Sequence, residues 1–92
     1  MSTTPAPAPT ADPAARIAQL RTEIDACDAG IIELVQRRLG ISRQIGELRA
    51  AAGGTRLSLA REQQVLTTFR DALGPDGAAL GMMLLRQGRG RL

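Results

Sequence analysis

The stretch 17–48, IAQLRTEIDACDAGIIELVQRRLGISRQIGEL, decides the fold. Apolar residues recur through it at heptad spacing: Ile17, Leu20, Ile24, Cys27, Ile31, Leu34, then Ile41, Ile45 and Leu48. That stripe is expected to face a partner helix. Arg38 occupies a stripe position where an apolar residue belongs. A guanidinium there loses water and cannot shed its charge. Left buried and unpaired, it would cost several kcal/mol, comparable to the stability margin of a small domain. Something anionic must therefore meet Arg38, either a protein carboxylate or a ligand.

Working outward, Asp12-Pro13 fits a helix start, with Asp12 as N-cap and Pro13 at the first helical position. Helix 1 then runs to about Ala51, roughly 55 Å at 1.5 Å per residue, and Gly53-Gly54 end it. Residues 1–13, MSTTPAPAPTADP, are Pro/Ala/Thr-rich and are expected to form a disordered tail before a helical domain over 14–92. Ser58 is a good N-cap for helix 2, which reaches about Leu73 with Val65, Leu66, Phe69 and Leu73 on one apolar face. Gly74-Pro75-Asp76-Gly77 is a stop-and-turn signal. Helix 3 is expected over 76–87, with Leu80, Met83, Leu84 and Met82 inward. Gly88 and Gly90 then break it and leave a basic tail, Arg89-Gly90-Arg91-Leu92.

Helices 2 and 3 cover about 40 Å in two pieces and cannot sheathe the long stripe from within one chain. The simplest solution is an all-α homodimer, three helices per chain, whose long first helices pack along each other. The alternative is a lone three-helix bundle with helix 1 broken near Gly40 or Gly46.

Composition narrows the chemistry. The 92 residues include no histidine, tyrosine or tryptophan, and all twelve cations are arginine. The net charge of +3 suits an anionic partner. Nucleic acid is disfavoured, because Phe69 is the only aromatic and no helix carries a dense basic run. Cys27 alone allows no disulfide within the chain, and without histidine a soft-metal site is not expected. No segment approaches the roughly 18 apolar residues of a membrane span. The N-terminus lacks the pattern of a secretory signal, so the cytoplasm is the expected compartment.

Arg38 and Arg49 are eleven residues apart, about 20° in direction and about 16 Å along one helix, so they face the same space. Arg21 lies roughly 25 Å before Arg38 and about 100° round. An antiparallel partner would bring its Arg21 to the site instead, giving two composite sites per dimer. Arg61 and Glu62 on helix 2 fold back toward Arg49 or are ordinary surface charges. Several guanidiniums with one carboxylate suit a ligand carrying two carboxylates. Arginine is a poor acid or base. The set therefore fits a reaction limited by conformation and by charge growing on one oxygen.

In order and spacing, Leu20-Arg21-Thr22-Glu23-Ile24-Asp25, Val35-Gln36-Arg37-Arg38, Ile45-Gly46-Glu47-Leu48-Arg49, Gly53-Gly54-Thr55-Arg56-Leu57, Arg61-Glu62 and 84–92 (LLRQGRGRL) carry a specific resemblance. The chain over 14–92 resembles the AroQ-type chorismate mutases, of the short kind found in actinobacteria. The resemblance implies an intertwined all-helical dimer, the chorismate mutase type II fold, needing no cofactor. It implies the Claisen rearrangement of chorismate to prephenate, in aromatic amino acid biosynthesis. By position, Arg49 matches the cation at the breaking ether oxygen and Glu62 the acid that binds the ring hydroxyl. Arg38 matches the arginine holding a substrate carboxylate, and Arg21 the arginine donated by the other protomer. Arg61 lies beside Glu62, and Thr55 and Ser58 fall in the loop lining the site. Two positions depart from many members: Ser58 stands for an aspartate, and 88–92 stand where a glutamine occurs late on helix 3. The resemblance also implies activation in complex with 3-deoxy-arabino-heptulosonate 7-phosphate synthase, for which the basic tail is a candidate docking or closing element. Two other readings compete: a non-catalytic helical regulator or adaptor, and an isochorismate-pyruvate lyase on the same scaffold.

Overall fold

The computed structural model describes residues 12–54 and 58–89, and these form three helices: α1 (Pro13–Ala51), α2 (Leu59–Leu73) and α3 (Pro75–Arg89). Two units are distinguished along the chain, one through Glu33 and one from Leu34. Within the first, the described residues beyond Asp12 are α1 alone. The second holds the C-terminal part of α1 together with α2 and α3. The Pro/Ala-rich residues 1–11, Thr55 and its neighbours to Leu57, and the tail 90–92 lie outside the described residues.

The helix ends follow the local chemistry. The Asp12 side chain accepts the Ala14 N–H at 3.0 Å, capping α1 ahead of Pro13. At the other end Gly53 takes φ +85°. The Gly54 N–H donates to the Arg49 carbonyl at 2.8 Å, and the Gly53 N–H to that of Ala50 at 3.0 Å. Those two bonds are the paired closure of a Schellman motif, which a left-handed glycine permits. They fix Arg49 in the last turn of α1, where the helix dipole favours a cation. The Ser58 hydroxyl accepts the Arg61 N–H at 3.4 Å and caps α2. Gly74, at φ +83°, ends α2 by donating its N–H to Arg70 at 2.7 Å, and Pro75 begins α3 at once.

Helix α1 runs through Gly30, Gly40 and Gly46 without a break, which removes the expectation's alternative of a helix interrupted there. None of its residues is buried. Its apolar stripe is exposed in both units, with Ile24 57%, Ile31 58%, Leu34 64% and Leu48 71% open. Cys27 is likewise exposed and free.

The core lies where α2 packs on α3, around Val65 and Leu84. Here α3 departs from expectation. Leu80, Met82 and Met83, expected inward, are exposed, as is Leu73 on α2. The buried face of α3 is instead Gly77, Gly81, Leu84 and Gly88. A Cβ at Gly77 would collide with the Phe69 carbonyl and lie 2.8 Å from the Leu73 Cβ. One at Gly81 would sit 3.4 Å from the Phe69 ring. The missing side chains let the two helices approach closely, so contact is made by backbone and by Leu66 and Phe69. Helix α3 also starts at Pro75 and runs through Gly88 to Arg89, past the expected stop at Gln87. Gly88 acts as a contact point, not a breaker. The Ser42 hydroxyl donates to its carbonyl at 3.3 Å, and a Cβ there would sit 2.6 Å from that hydroxyl oxygen.

Candidate active site

Helix ends and the helix crossing at Gly88 surround one cavity in the second unit, of about 340 Å³. That volume lies in the range of small-ligand sites, about 300–1,000 Å³. Helix α1 contributes Arg38, Ile41, Ser42, Arg43, Ile45, Gly46, Glu47 and Arg49. Ser58 and α2 contribute Arg61, Glu62 and Val65, and α3 contributes Leu85, Gly88 and Arg89. Arg38 and Arg49 therefore share a space, as their eleven-residue separation requires. Of the expected site residues, Arg38, Arg49, Ser58, Arg61 and Glu62 all line it. Arg21 belongs to the first unit and is not a lining residue, and Thr55 lies outside the described residues.

Arg38 is half-buried and makes no ion pair with a carboxylate among the described residues. The anion that its position demands is thus not supplied by a described residue of its own chain. Glu62 is already engaged. Arg89 donates from Nε to Oε2 at 2.8 Å and from Nη2 to Oε1 at 2.5 Å. Those bonds, and then the attraction of the carboxylate charge, raise the Arg89 guanidinium above its ordinary value against the opposing effect of burial.

Arg89, expected in the basic tail after a stop at Gly88, instead lies in the last turn of α3. Its signal was the spacing Gly77, Gly81, Leu84, Gly88, a helical face of small residues. Gln87, the glutamine of this chain that lies near the family's late helix 3 position, is exposed and does not line the cavity.

The wall is mixed. Ile41, Ile45, Val65 and Leu85 supply apolar surface. Arg38, Arg43, Arg49, Arg61 and Arg89 face Glu47 and Glu62, an excess of cations that favours a ligand with more than one negative charge. Among the described residues no group of three His, Cys, Asp or Glu side chains could hold a metal ion. No helix there is long and apolar enough to cross a membrane.

The family model for chorismate mutase type II matches residues 20–80. The chain belongs to that family. It is 53% identical over 83 residues to the intracellular chorismate mutase of Mycolicibacterium smegmatis, covering 90% of this chain and 80% of that one. Over 80 residues it is 51% identical to the intracellular chorismate mutase of Mycobacterium tuberculosis, covering 87% and 75%. Among solved structures, a non-covalent complex of DAHP synthase and chorismate mutase from Corynebacterium glutamicum, with bound transition state analogue, superposes with a TM-score of 0.81. It is 45% identical and the match covers 85% of this chain and 94% of that one. This chorismate mutase family member thus shares the helical frame of the Corynebacterium glutamicum protein, and about half of its aligned residues are identical to those of the two mycobacterial enzymes.

Proposed function

We propose that the cavity binds chorismate and carries its rearrangement to prephenate. The observation that carries this reading is the set Arg38, Arg49, Arg61 and Glu62 lining one small, partly apolar cavity, in a chain of this family. In the reaction the ether C–O bond breaks as a C–C bond forms within the same molecule, so no proton has to be transferred. What the protein supplies is a folded conformer and donors where charge grows. Arg38 holds a substrate carboxylate by a bidentate contact. Arg49 donates to the ether oxygen as negative charge builds there. Glu62 accepts from the ring hydroxyl, Ser58 and Thr55 line the loop side, and Arg61 adds positive potential beside Glu62.

The same proposal includes a homodimer, because α1 carries an apolar stripe with no buried residue. Arg21 then enters the site from the other protomer. The neighbour in complex with a DAHP synthase supports a synthase partner for this chain, with activation on binding. The relatives are named intracellular, and the same compartment, the cytoplasm, is proposed here.

Arg49→Ala tests the reading. Turnover of chorismate, followed by its absorbance, is expected to fall by about 10²–10³-fold, the worth of one well-placed donor, with the dimer mass unchanged. A parent chain that consumes no chorismate, with or without the synthase, overturns it.

A further inference from the structure

Glu62 is held in a way that the reaction scheme above does not use. A carboxylate at the end of a glutamate turns over a broad, shallow torsion. Here the Arg89 fork spans both of its oxygens, at 2.8 and 2.5 Å, and removes that rotation. The two side chains are only 24% and 15% exposed, unlike the open Arg70–Asp71 pair at 59% and 71%. The placement is built into the fold. Gly88, without a Cβ, lets the end of α3 settle against Ser42 on α1, and the next side chain reaches Glu62 on α2. Each carboxylate oxygen keeps a second lone pair, so the fork leaves Glu62 able to accept a hydroxyl.

We infer that Arg89 is a positioning residue of the active site: seated by the Ser42–Gly88 contact, it fixes the Glu62 carboxylate in the orientation that receives the substrate hydroxyl. This rests on the cavity being the chorismate site. It assigns the end of α3 a part in the reaction, acting through Glu62 and not on the breaking bond.

The test is a cycle of Arg89→Met, Glu62→Gln and the double variant, with kcat and KM for chorismate measured beside the parent. Misplacing a binding group by about 1 Å can cost up to about 10²-fold, and a loss of up to that size is expected for Arg89→Met. In the Glu62→Gln background the same change is expected to cost nothing further, because the group it positions is already altered. Arg89→Lys, which keeps the charge but not the fork, is expected to recover part of the loss, and decides the matter if Arg89→Met does not fold. The Arg89 Nε–H resonance, read by nuclear magnetic resonance, is expected to move in Glu62→Gln whatever the activity. Losses that add in the double variant, or an Arg89→Met chain as active as its parent, overturn the positioning role. A silent parent overturns the reading of the site itself, and this role with it.

Discussion

Arg38 interrupts an apolar stripe, yet it is half-buried, lines the cavity and pairs with no carboxylate among the described residues. A structural arginine in that position would have a protein acid fixed beside it, because an unpaired guanidinium is costly to bury. A ligand-binding arginine keeps its donors for the ligand. The two roles part in Arg38→Leu. Leucine completes the stripe, so thermal unfolding of the dimer is expected at the same temperature or higher. Chorismate binding, measured by KM or by titration of a transition state analogue, is expected to be lost. A variant that unfolds would assign Arg38 to the scaffold.

At the scale of elements, the junction of α2 and α3 depends on absent side chains. An alanine at Gly77 would press its Cβ into the Phe69 carbonyl and the Leu73 Cβ. Backbone cannot yield as a side-chain tip can, so α3 must move away from α2. Overpacking of that kind typically costs about 1–3 kcal/mol, against a helix-propensity gain of at most about 1 kcal/mol. Gly77→Ala is therefore expected to lower the unfolding midpoint in denaturant, and a midpoint that rises would deny the close approach. The same junction shows where the sequence was legible and where it was not. Asp12, Pro13, Ser58 and Gly74 act locally, through their own hydrogen bonds and backbone angles, so the helix starts and most ends could be read from them. The inward face of α3 could not. Glycine reads locally as a breaker, whereas Gly77, Gly81 and Gly88 are set by what lies opposite them. The apolar pattern of Leu80, Met82 and Met83 points to a core face that these glycines take instead. Ser58 enters the site only through the family resemblance, and Arg61 and Glu62 stand between the site and ordinary surface charge, but the common direction of Arg38 and Arg49 was legible because spacing on a helix fixes it. Arg89 was not, since it depends on α3 continuing through Gly88.

At the scale of the molecule, the described residues of one chain leave much of their apolar surface open. Burial among the described apolar side chains centres on Val65 and Leu84, while Ile17, Ile24, Ile31, Leu34, Ile41, Ile45 and Leu48 stand open along α1. A small domain with so thin a core is marginal by itself. Association of two α1 stripes supplies the missing burial, and a closed twofold pair makes both sites equivalent. In the dimer proposed above, Arg21 of one copy serves Arg38 and Arg49 of the other, and mixing two variants expected to be inactive tests that proposal. On that proposal, Arg21→Ala and Arg49→Ala homodimers each lack one of the site's cations at both sites. After they are unfolded together and refolded, about half of the dimers are mixed, and each mixed dimer has one site with every arginine intact. About a quarter of the parent's activity is therefore expected to return. If Arg21 serves the site of its own chain, each site in a mixed dimer lacks one arginine and no activity returns. Recovery of activity on mixing thus separates a site shared between chains from one complete within each.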